Sequence, residues 1–319
     1  MTMTRFIVDM LWMGLMVLGP GMVFGQDYPS KPLRIITGTA GGGNDLMARI
    51  IAQGITGPLG QAVVIENRFG GVFGEDLAKT PSDGYTMIVQ GTGFLTRQLL
   101  QKAPYDVVRD FAPISLMVRE VGVVVVHPSL PVNSLKDLIV LAKSRAGELN
   151  FSTGNIGGAG YLASELFKSM AGINIVHVPY KGTAPAVTAV VSGEVHMTII
   201  DPGLVMPHVK LGKLRALAVT SATPSALVPG LPTVAASGLP GYESVGITGM
   251  YATAKTPEAI INRLNREIVR VLNQPDVKER LLNAGEEIVA SSPEQFMATI
   301  KSEIVKIGKL INDAGIKVN

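Results

Sequence analysis

The sequence predicts an α/β fold of two lobes with a cleft between them, and three observations lead to this expectation. Apolar runs alternate with segments of helical periodicity over much of the 319 residues, which is typical of sheets covered by helices. A loop-rich segment at residues 221–242 follows this alternation, and helical patterns then close the chain. We therefore expect residues 26–120 and 221–319 to form lobe 1, and residues 121–220 to form lobe 2.

The first residues of the chain are predicted to be a secretory signal peptide, residues 1–25. Arg5 precedes a mostly apolar run, and the small residues Val23 and Gly25 suit cleavage after Gly25. The alternative is an uncleaved membrane anchor, but the run is shorter and less continuous than a typical span of about 20 apolar residues. We expect the mature chain to begin at residue 26.

Apolar patterning predicts the elements of lobe 1 in order. Strand patterns occupy residues 33–38, 62–65 and 86–89, with a helix between the first two and a short helix near residues 76–79. After the return, a strand pattern at residues 245–252 precedes helices that begin near Thr256 and Ser292. This alternation predicts a mostly parallel sheet, with the last helices packed on lobe 1.

Lobe 2 repeats the alternation. Strand patterns occupy residues 114–118, 122–127, 149–152, 173–178, 195–200 and 214–219, the first of them before the crossover. Ser134 and Asp137 form a capping-box pattern for a helix that extends to Ser144. Further helical patterns follow residue 160 and span residues 184–191.

Composition and charge exclude several classes of function. The 28 basic and 25 acidic residues are scattered, so nucleic acid is not an expected partner despite a calculated pI near 9.0. The absence of cysteine excludes disulfides, thiolate nucleophiles and cysteine metal sites. The four histidines lack metal-ligand spacing, and we expect neither a metal nor a cofactor.

The first candidate site is the glycine-rich loop after the strand at residues 33–38. The helix that follows can be capped by Asn44 or Asp45. Such a junction directs unpaired N–H groups and the positive end of the helix dipole at one small volume, which suits an anion. The candidate ligand-binding residues of this loop are Thr39, Ala40, Gly41, Gly42, Gly43 and Asn44.

A second junction of the same kind lies at residues 150–160. In open α/β sheets the carboxyl ends of the strands converge on the ligand crevice, so we expect the two loops to face each other. The alternative, that both loops are only tight turns, remains equally open. The remaining candidate ligand-binding residues follow other strand ends or lie in this loop: Thr92, Thr153, Gly154, Asn155, Gly157, Gly158 and Asp201.

Common signatures of catalysis are missing from the sequence. Residues 41–43 form neither a P-loop nor a dinucleotide loop, because no Gly-Lys-Ser/Thr follows and Leu46 occupies the position of the third glycine. Asp201 would receive a ligand ammonium or hydroxyl or orient a water, or it would cap the turn that follows it. We expect a binding protein; an enzyme that uses Asp201 with Tyr161 or Lys181 is the alternative.

Short motifs extend in order over essentially the whole mature chain. They include G-G-G-x-D-x-x-A-R at residues 41–49, V-I-E-N-R at 64–68, P-S-D-G-Y-T at 81–86, D-F-A-P at 110–113, H-V-P-Y-K-G at 177–182, G-K-L-R-A-L-A-V-T at 212–220 and L-P-T-V at 231–234. With these motifs the chain resembles the Bug family of periplasmic solute-binding proteins, the receptors of tripartite tricarboxylate transporters.

This resemblance implies a two-lobed periplasmic binding protein of the Venus-flytrap, type II-like architecture, with no catalytic activity. Its cleft would close on a small carboxylate, held by backbone N–H groups and bridging waters at residues 39–44, Thr92, residues 153–158 and Asp201. The expected partners are membrane transporter subunits, and we expect a monomer; a sensor that signals to a histidine kinase is the alternative. Thr39-Ala40 and Asn44 depart from the family pattern, so no particular substrate is transferred.

Overall fold

The computed structural model describes residues 28–68, 73–101, 103–154 and 156–316. The predicted signal peptide at residues 1–25 lies outside these ranges, as does Asn155. Within them, no helix combines the length and the apolar character that crossing a membrane requires.

The described chain folds into eleven strands and eleven helices that alternate over much of its length. The strands are β1 (Leu33–Thr37), β2 (Val63–Asn67), β3 (Thr86–Gly91), β4 (Phe111–Val121), β5 (Val123–Val126), β6 (Asn150–Thr153), β7 (Val176–Pro179), β8 (Met197–Ile200), β9 (Arg215–Val219), β10 (Val245–Thr253) and β11 (Glu286–Ile288). The helices are α1 (Gly43–Leu59), α2 (Phe73–Ala78), α3 (Thr92–Leu100), α4 (Val107–Asp110), α5 (Leu135–Ser144), α6 (Ala159–Ala171), α7 (Thr183–Val191), α8 (Pro202–Lys210), α9 (Glu258–Leu272), α10 (Pro275–Ala284) and α11 (Pro293–Asp313).

The first sheet has six strands in the order β11-β4-β10-β3-β1-β2. Strand β1 is parallel to β2 and β3, whereas β10 is antiparallel to both β3 and β4. The expectation of a mostly parallel sheet is therefore wrong. The strand that returns from the far end of the chain enters the middle of the sheet in the opposite direction.

The second sheet has five strands in the order β7-β6-β8-β5-β9. Strand β6 is parallel to β7 and β8, and β5 is antiparallel to β8 and β9. We call the part of the chain built on the first sheet lobe 1 and the part built on the second sheet lobe 2.

Helices cover both faces of each sheet. In lobe 1, α1 and α9 pack on one face, and α3 and α11 pack on the other. The expected packing of the last helices on lobe 1 is thus confirmed for α9 and α11. In lobe 2, α5 and α6 cover one face, while α7 and α8 cover the other.

The chain passes between the sheets at Gly122 and again after β9. The return segment, residues 220–244, places Val234, Leu239 and Tyr242 in the core of lobe 2, and the Tyr242 hydroxyl donates to the carbonyl of Ala163 at 2.8 Å. The sequence expectation assigned most of this segment to lobe 1. The division of the chain into folding domains stays a prediction.

Local capping signals place two helices where the sequence predicts them. The Ser134 hydroxyl accepts from the Asp137 N–H at the start of α5, and Ser292 forms a reciprocal capping box with Gln295 at the start of α11. Helices α3, α8 and α10 were not predicted. Helix α8 contains Pro207, and this residue masks its helical pattern.

Candidate functional site

The first glycine-rich loop turns sharply between β1 and α1. Helix α1 begins with Gly42 as its N-cap and without a capping side chain, so the expected cap from Asn44 or Asp45 is wrong. Gly41 has a φ of +80°, a conformation that favours glycine, and the Gly42 N–H donates to the carbonyl of Thr39 at 3.1 Å. Residues 39–43 are all exposed, so this loop is open to solvent.

Asp45 anchors this loop from behind. Its side chain is 4% exposed, and its carboxylate accepts from the Gly41 N–H at 2.9 Å, from Asn67 Nδ2 at 2.8 Å and from Arg49 Nε at 3.0 Å. Burial acts to raise the pKa of Asp45, but the hydrogen bonds from Arg49, Asn67 and Gly41 outweigh it and hold the pKa below its usual range. The buried carboxylate therefore fixes the loop.

Two other predicted site residues of lobe 1 form hydrogen bonds with β10. Thr92 is buried at the start of α3, where its Oγ1 accepts from the Ile247 N–H at 2.9 Å. The Thr248 hydroxyl lies 3.2 Å from Asn44 Oδ1 and 2.5 Å from Glu120 Oε1. The central strand of lobe 1 therefore orients Thr92 and Asn44 and brings Glu120 beside them.

The second glycine-rich loop precedes α6, which has Gly158 as its N-cap and no capping side chain. Gly157 has a φ of +81°, and a Cβ added there would lie 3.1 Å from Thr96 Cγ2 on α3. At Gly246 an added Cβ would lie 2.7 Å from the Cβ of Ala159 and 2.8 Å from Glu120 Oε2. The start of α6 is therefore in contact with lobe 1, close to the strand that engages Asn44.

The strand end before this loop is tightly packed. A Cβ added to Gly154 would lie 2.6 Å from the backbone of Gly182, and the Gly154 carbonyl accepts from the Gly182 N–H at 3.0 Å. Thr153 is 3% exposed, and its Oγ1 lies 2.7 Å from Nε2 of His177. The backbone of Gly154 therefore leaves no room for a larger residue.

Asp201 lies at the start of α8, where its side chain makes no capping hydrogen bond. Burial and the neighbouring Glu120 raise the pKa of Asp201. Burial also raises the pKa of Glu286, with Glu120 and Asp201 as further causes. The sequence offered no signal for this group of three carboxylates.

Of the predicted residues, Asn44 and the start of α6 are brought to the same region beside β10. Among the described side chains, no three of His, Asp or Glu are arranged to hold a metal ion. A cavity of about 520 Å³ between α6 and α11 includes Thr92 and Ala159 in its walls. Residues 39–44 do not line this cavity, so we do not assign it to the ligand.

The chain is similar in sequence to known proteins. The sequence model of a protein family, described as the tripartite tricarboxylate transporter family receptor, matches residues 47–316 of the chain. Protein BugT of Bordetella pertussis is 33% identical over 328 residues, covering 100% of each chain.

Solved structures are also similar. The R. palustris protein Rpa4515, with adipate, superposes with a TM-score of 0.83 at 35% identity, covering 91% of this chain and 99% of that one. The periplasmic binding protein BugD superposes with a TM-score of 0.81 at 30% identity, covering 91% of this chain and 99% of that one. These similarities confirm the predicted two-lobed α/β fold.

Proposed function

The chain belongs to the family of tripartite tricarboxylate transporter receptors, and from this premise we propose that it captures a small carboxylate between its two lobes. It acts in the periplasm as a monomer and delivers the ligand to membrane transporter subunits, without catalysis of its own. The description of BugD as a periplasmic binding protein supports this location. The adipate bound to Rpa4515 supports the ligand class.

The observation that carries this proposal is the pair of helix starts without capping side chains. Helices α1 and α6 are 17 and 13 residues long, and each follows a glycine N-cap. Their first N–H groups lack intrahelical partners and carry the positive end of the helix dipole. A carboxylate provides acceptors for such donors, and charge-assisted hydrogen bonds of this kind are stronger than neutral ones.

We assign the ligand contacts to the two loops and the strand ends beside them. In lobe 1 these are residues 39–44 and Thr92, and in lobe 2 residues 153–158 and Asp201. The raised pKa of Asp201 lets it keep a proton to higher pH than an ordinary carboxyl, so it can donate to the ligand or to a bridging water.

A thermal-shift screen tests the proposal. The purified mature chain is heated with adipate, malate, monocarboxylates, sugars and amines. A true ligand at a hundredfold excess over its Kd stabilises the folded state by about 2.7 kcal/mol. We expect at least one carboxylate to raise the melting temperature; a shift with sugars or amines and with no carboxylate would overturn the proposal.

A further inference from the structure

Thr153 is the last residue of β6, and its side chain contacts His177, the second residue of the neighbouring strand β7. Strands β6 and β7 run parallel, and Nε2 of His177 lies 2.7 Å from Oγ1 of Thr153. Thr153 is one of the proposed ligand contacts, whereas nothing in the sequence pointed to His177 as a functional residue.

The imidazole of His177 is held in place by its neighbours. Its ring lies 4.9 Å from the ring of Phe151 on β6 and 5.1 Å from the ring of Tyr161 on α6. The charged groups that face it are Glu165 and Lys168, also on α6, which pair with each other at 2.9 Å. With two rings packed against it, the imidazole keeps Nε2 directed at the threonine hydroxyl.

The protonation of Nε2 decides what this hydroxyl offers to the cleft. A threonine hydroxyl has one proton to donate and lone pairs to accept. When Nε2 carries a proton, it donates to Oγ1, and the hydroxyl proton is free for a ligand. When Nε2 is bare, it takes the hydroxyl proton, and only lone pairs remain for the ligand.

We propose that His177 is a positioning residue for the ligand, because it directs the hydroxyl proton of Thr153 at the bound carboxylate. This inference rests on the proposed function, in which Thr153 contacts the ligand. A carboxylate only accepts hydrogen bonds, so it binds the state in which Nε2 is protonated. The full imidazolium also places a positive charge near the anion.

The pH dependence follows from the environment of the ring. Burial lowers the pKa of His177; Glu165 acts to raise it and Lys168 to lower it further. The neutral ring carries a single proton on one of its two nitrogens, whereas the imidazolium always has a proton on Nε2. Affinity for a carboxylate accordingly rises as the pH falls through the lowered pKa of His177.

The matched control lies at the other end of the same strand. Asn150 begins β6, and its Oδ1 lies 2.8 Å from Nδ1 of His196, which is also half-buried and has a pKa lowered by burial. His196→Gln thus makes the same substitution beside β6, away from the proposed ligand contacts. His177→Gln keeps an amide where Nε2 stood but cannot titrate.

The test is the Kd of adipate, measured by calorimetry between about pH 5.5 and about pH 8. We expect the unaltered protein and His196→Gln to bind more tightly at the lower pH. His177→Gln should lose this additional pH dependence, and His177→Ala should weaken binding by about three- to tenfold. Adipate's own titration is common to all variants and cancels in the comparison.

A double-mutant cycle separates positioning from a merely structural role. If His177 acts through Thr153, His177→Ala has no further effect on the Kd once Thr153→Val is present, and Thr153→Ser restores the effect. Full additivity, or a pH slope in His177→Gln equal to that of His196→Gln, would overturn the inference. If the unaltered protein binds no carboxylate, the proposed function fails, and this inference fails with it. Thermal unfolding verifies that each variant is folded.

Discussion

Glu286 on β11 lies directly opposite Glu120 on β4, in an antiparallel pair at the edge of the first sheet. Like charges in such positions repel each other. Oε2 of Glu286 is buried with no hydrogen-bond partner among the described residues, while Glu120 accepts from the Thr248 hydroxyl. Asp201 of lobe 2 is a third carboxylate in this group. Helix α8, which Asp201 precedes, packs closely against the end of α10: a Cβ added to Gly203 would lie 2.3 Å from the carbonyl oxygen of Ala284.

This pairing predicts that stability falls as the pH rises. Burial, with Glu120 and Asp201 as neighbours, raises the pKa of Glu286, so the folded protein holds a proton that the unfolded chain releases above about pH 4.5. A group whose pKa is raised by folding stabilises the protein at low pH, and this stabilisation is lost as the pH rises toward the raised pKa. The loss is at most about 1.4 kcal/mol per pH unit for each proton.

Urea unfolding between about pH 5 and about pH 8 measures this slope. Glu286→Gln removes the titrating group and should flatten the decline. The matched control is Glu287→Gln, the next residue on β11, which accepts from the Ser225 hydroxyl at 2.7 Å and should keep the original slope. Equal slopes in the two variants would show that Glu286 does not hold the proton.

The buried anchor of the first loop gives the opposite pH dependence. Hydrogen bonds hold the pKa of Asp45 below its usual range, so its contribution is present above the ordinary aspartate pKa and is lost as the pH falls through the lowered value. Asp45→Ala removes the acceptor of the Gly41 N–H and one of the two acceptors of Asn67 Nδ2, which should cost about 1–3 kcal/mol.

Urea unfolding of Asp45→Ala at neutral pH checks this value, and the adipate Kd should weaken because the loop loses its support. Asp83→Ala serves as the control, since Asp83 is far more exposed: it forms a pair with Lys31 at 3.4 Å that contributes little, and it accepts from the Tyr85 N–H at 3.1 Å. An Asp45 variant as stable as the Asp83 variant would contradict the role given to the anchor.

Sequence reasoning succeeded where structure depends on local signals. Both strand–glycine–helix junctions form at the predicted places, because apolar period and glycine placement are properties of a few adjacent residues. The cap of α1 was missed: Gly42 is the N-cap, and Asp45 lies three residues further on, with its side chain turned back to the Gly41 N–H. An aspartate can either cap a helix or hold the loop that precedes it, and the contact with Asn67 selects the second role for Asp45.

Local sequence patterns do not predict contacts between residues that are far apart in the chain. Strand β10 enters the first sheet between β3 and β4, and its sequence alone does not give its direction or its neighbours. The pairing of Glu286 with Glu120 depends on that topology. His177 and Thr153 are 24 residues apart, and only the parallel register of β6 and β7 brings them together.

The last prediction concerns Gly42, the N-cap of α1. A Cβ added there would lie 3.2 Å from the carbonyl of Thr39, closer than most real contacts, and the rest of a valine side chain would extend into the exposed volume in front of the loop. Gly42→Val should therefore block access to the first N–H groups of α1 and weaken adipate binding at least about tenfold, a loss of about 1.4 kcal/mol.

Because Gly42 is exposed, Gly42→Val should leave the ligand-free protein folded, with only a modest fall in melting temperature from the close contact with the Thr39 carbonyl. Gly308→Val in α11 is the control, since an added Cβ meets nothing within 4 Å there and Gly308 belongs to neither loop. Calorimetric titration with adipate compares the two. If Gly42→Val binds adipate as tightly as Gly308→Val does, the first loop is not part of the site.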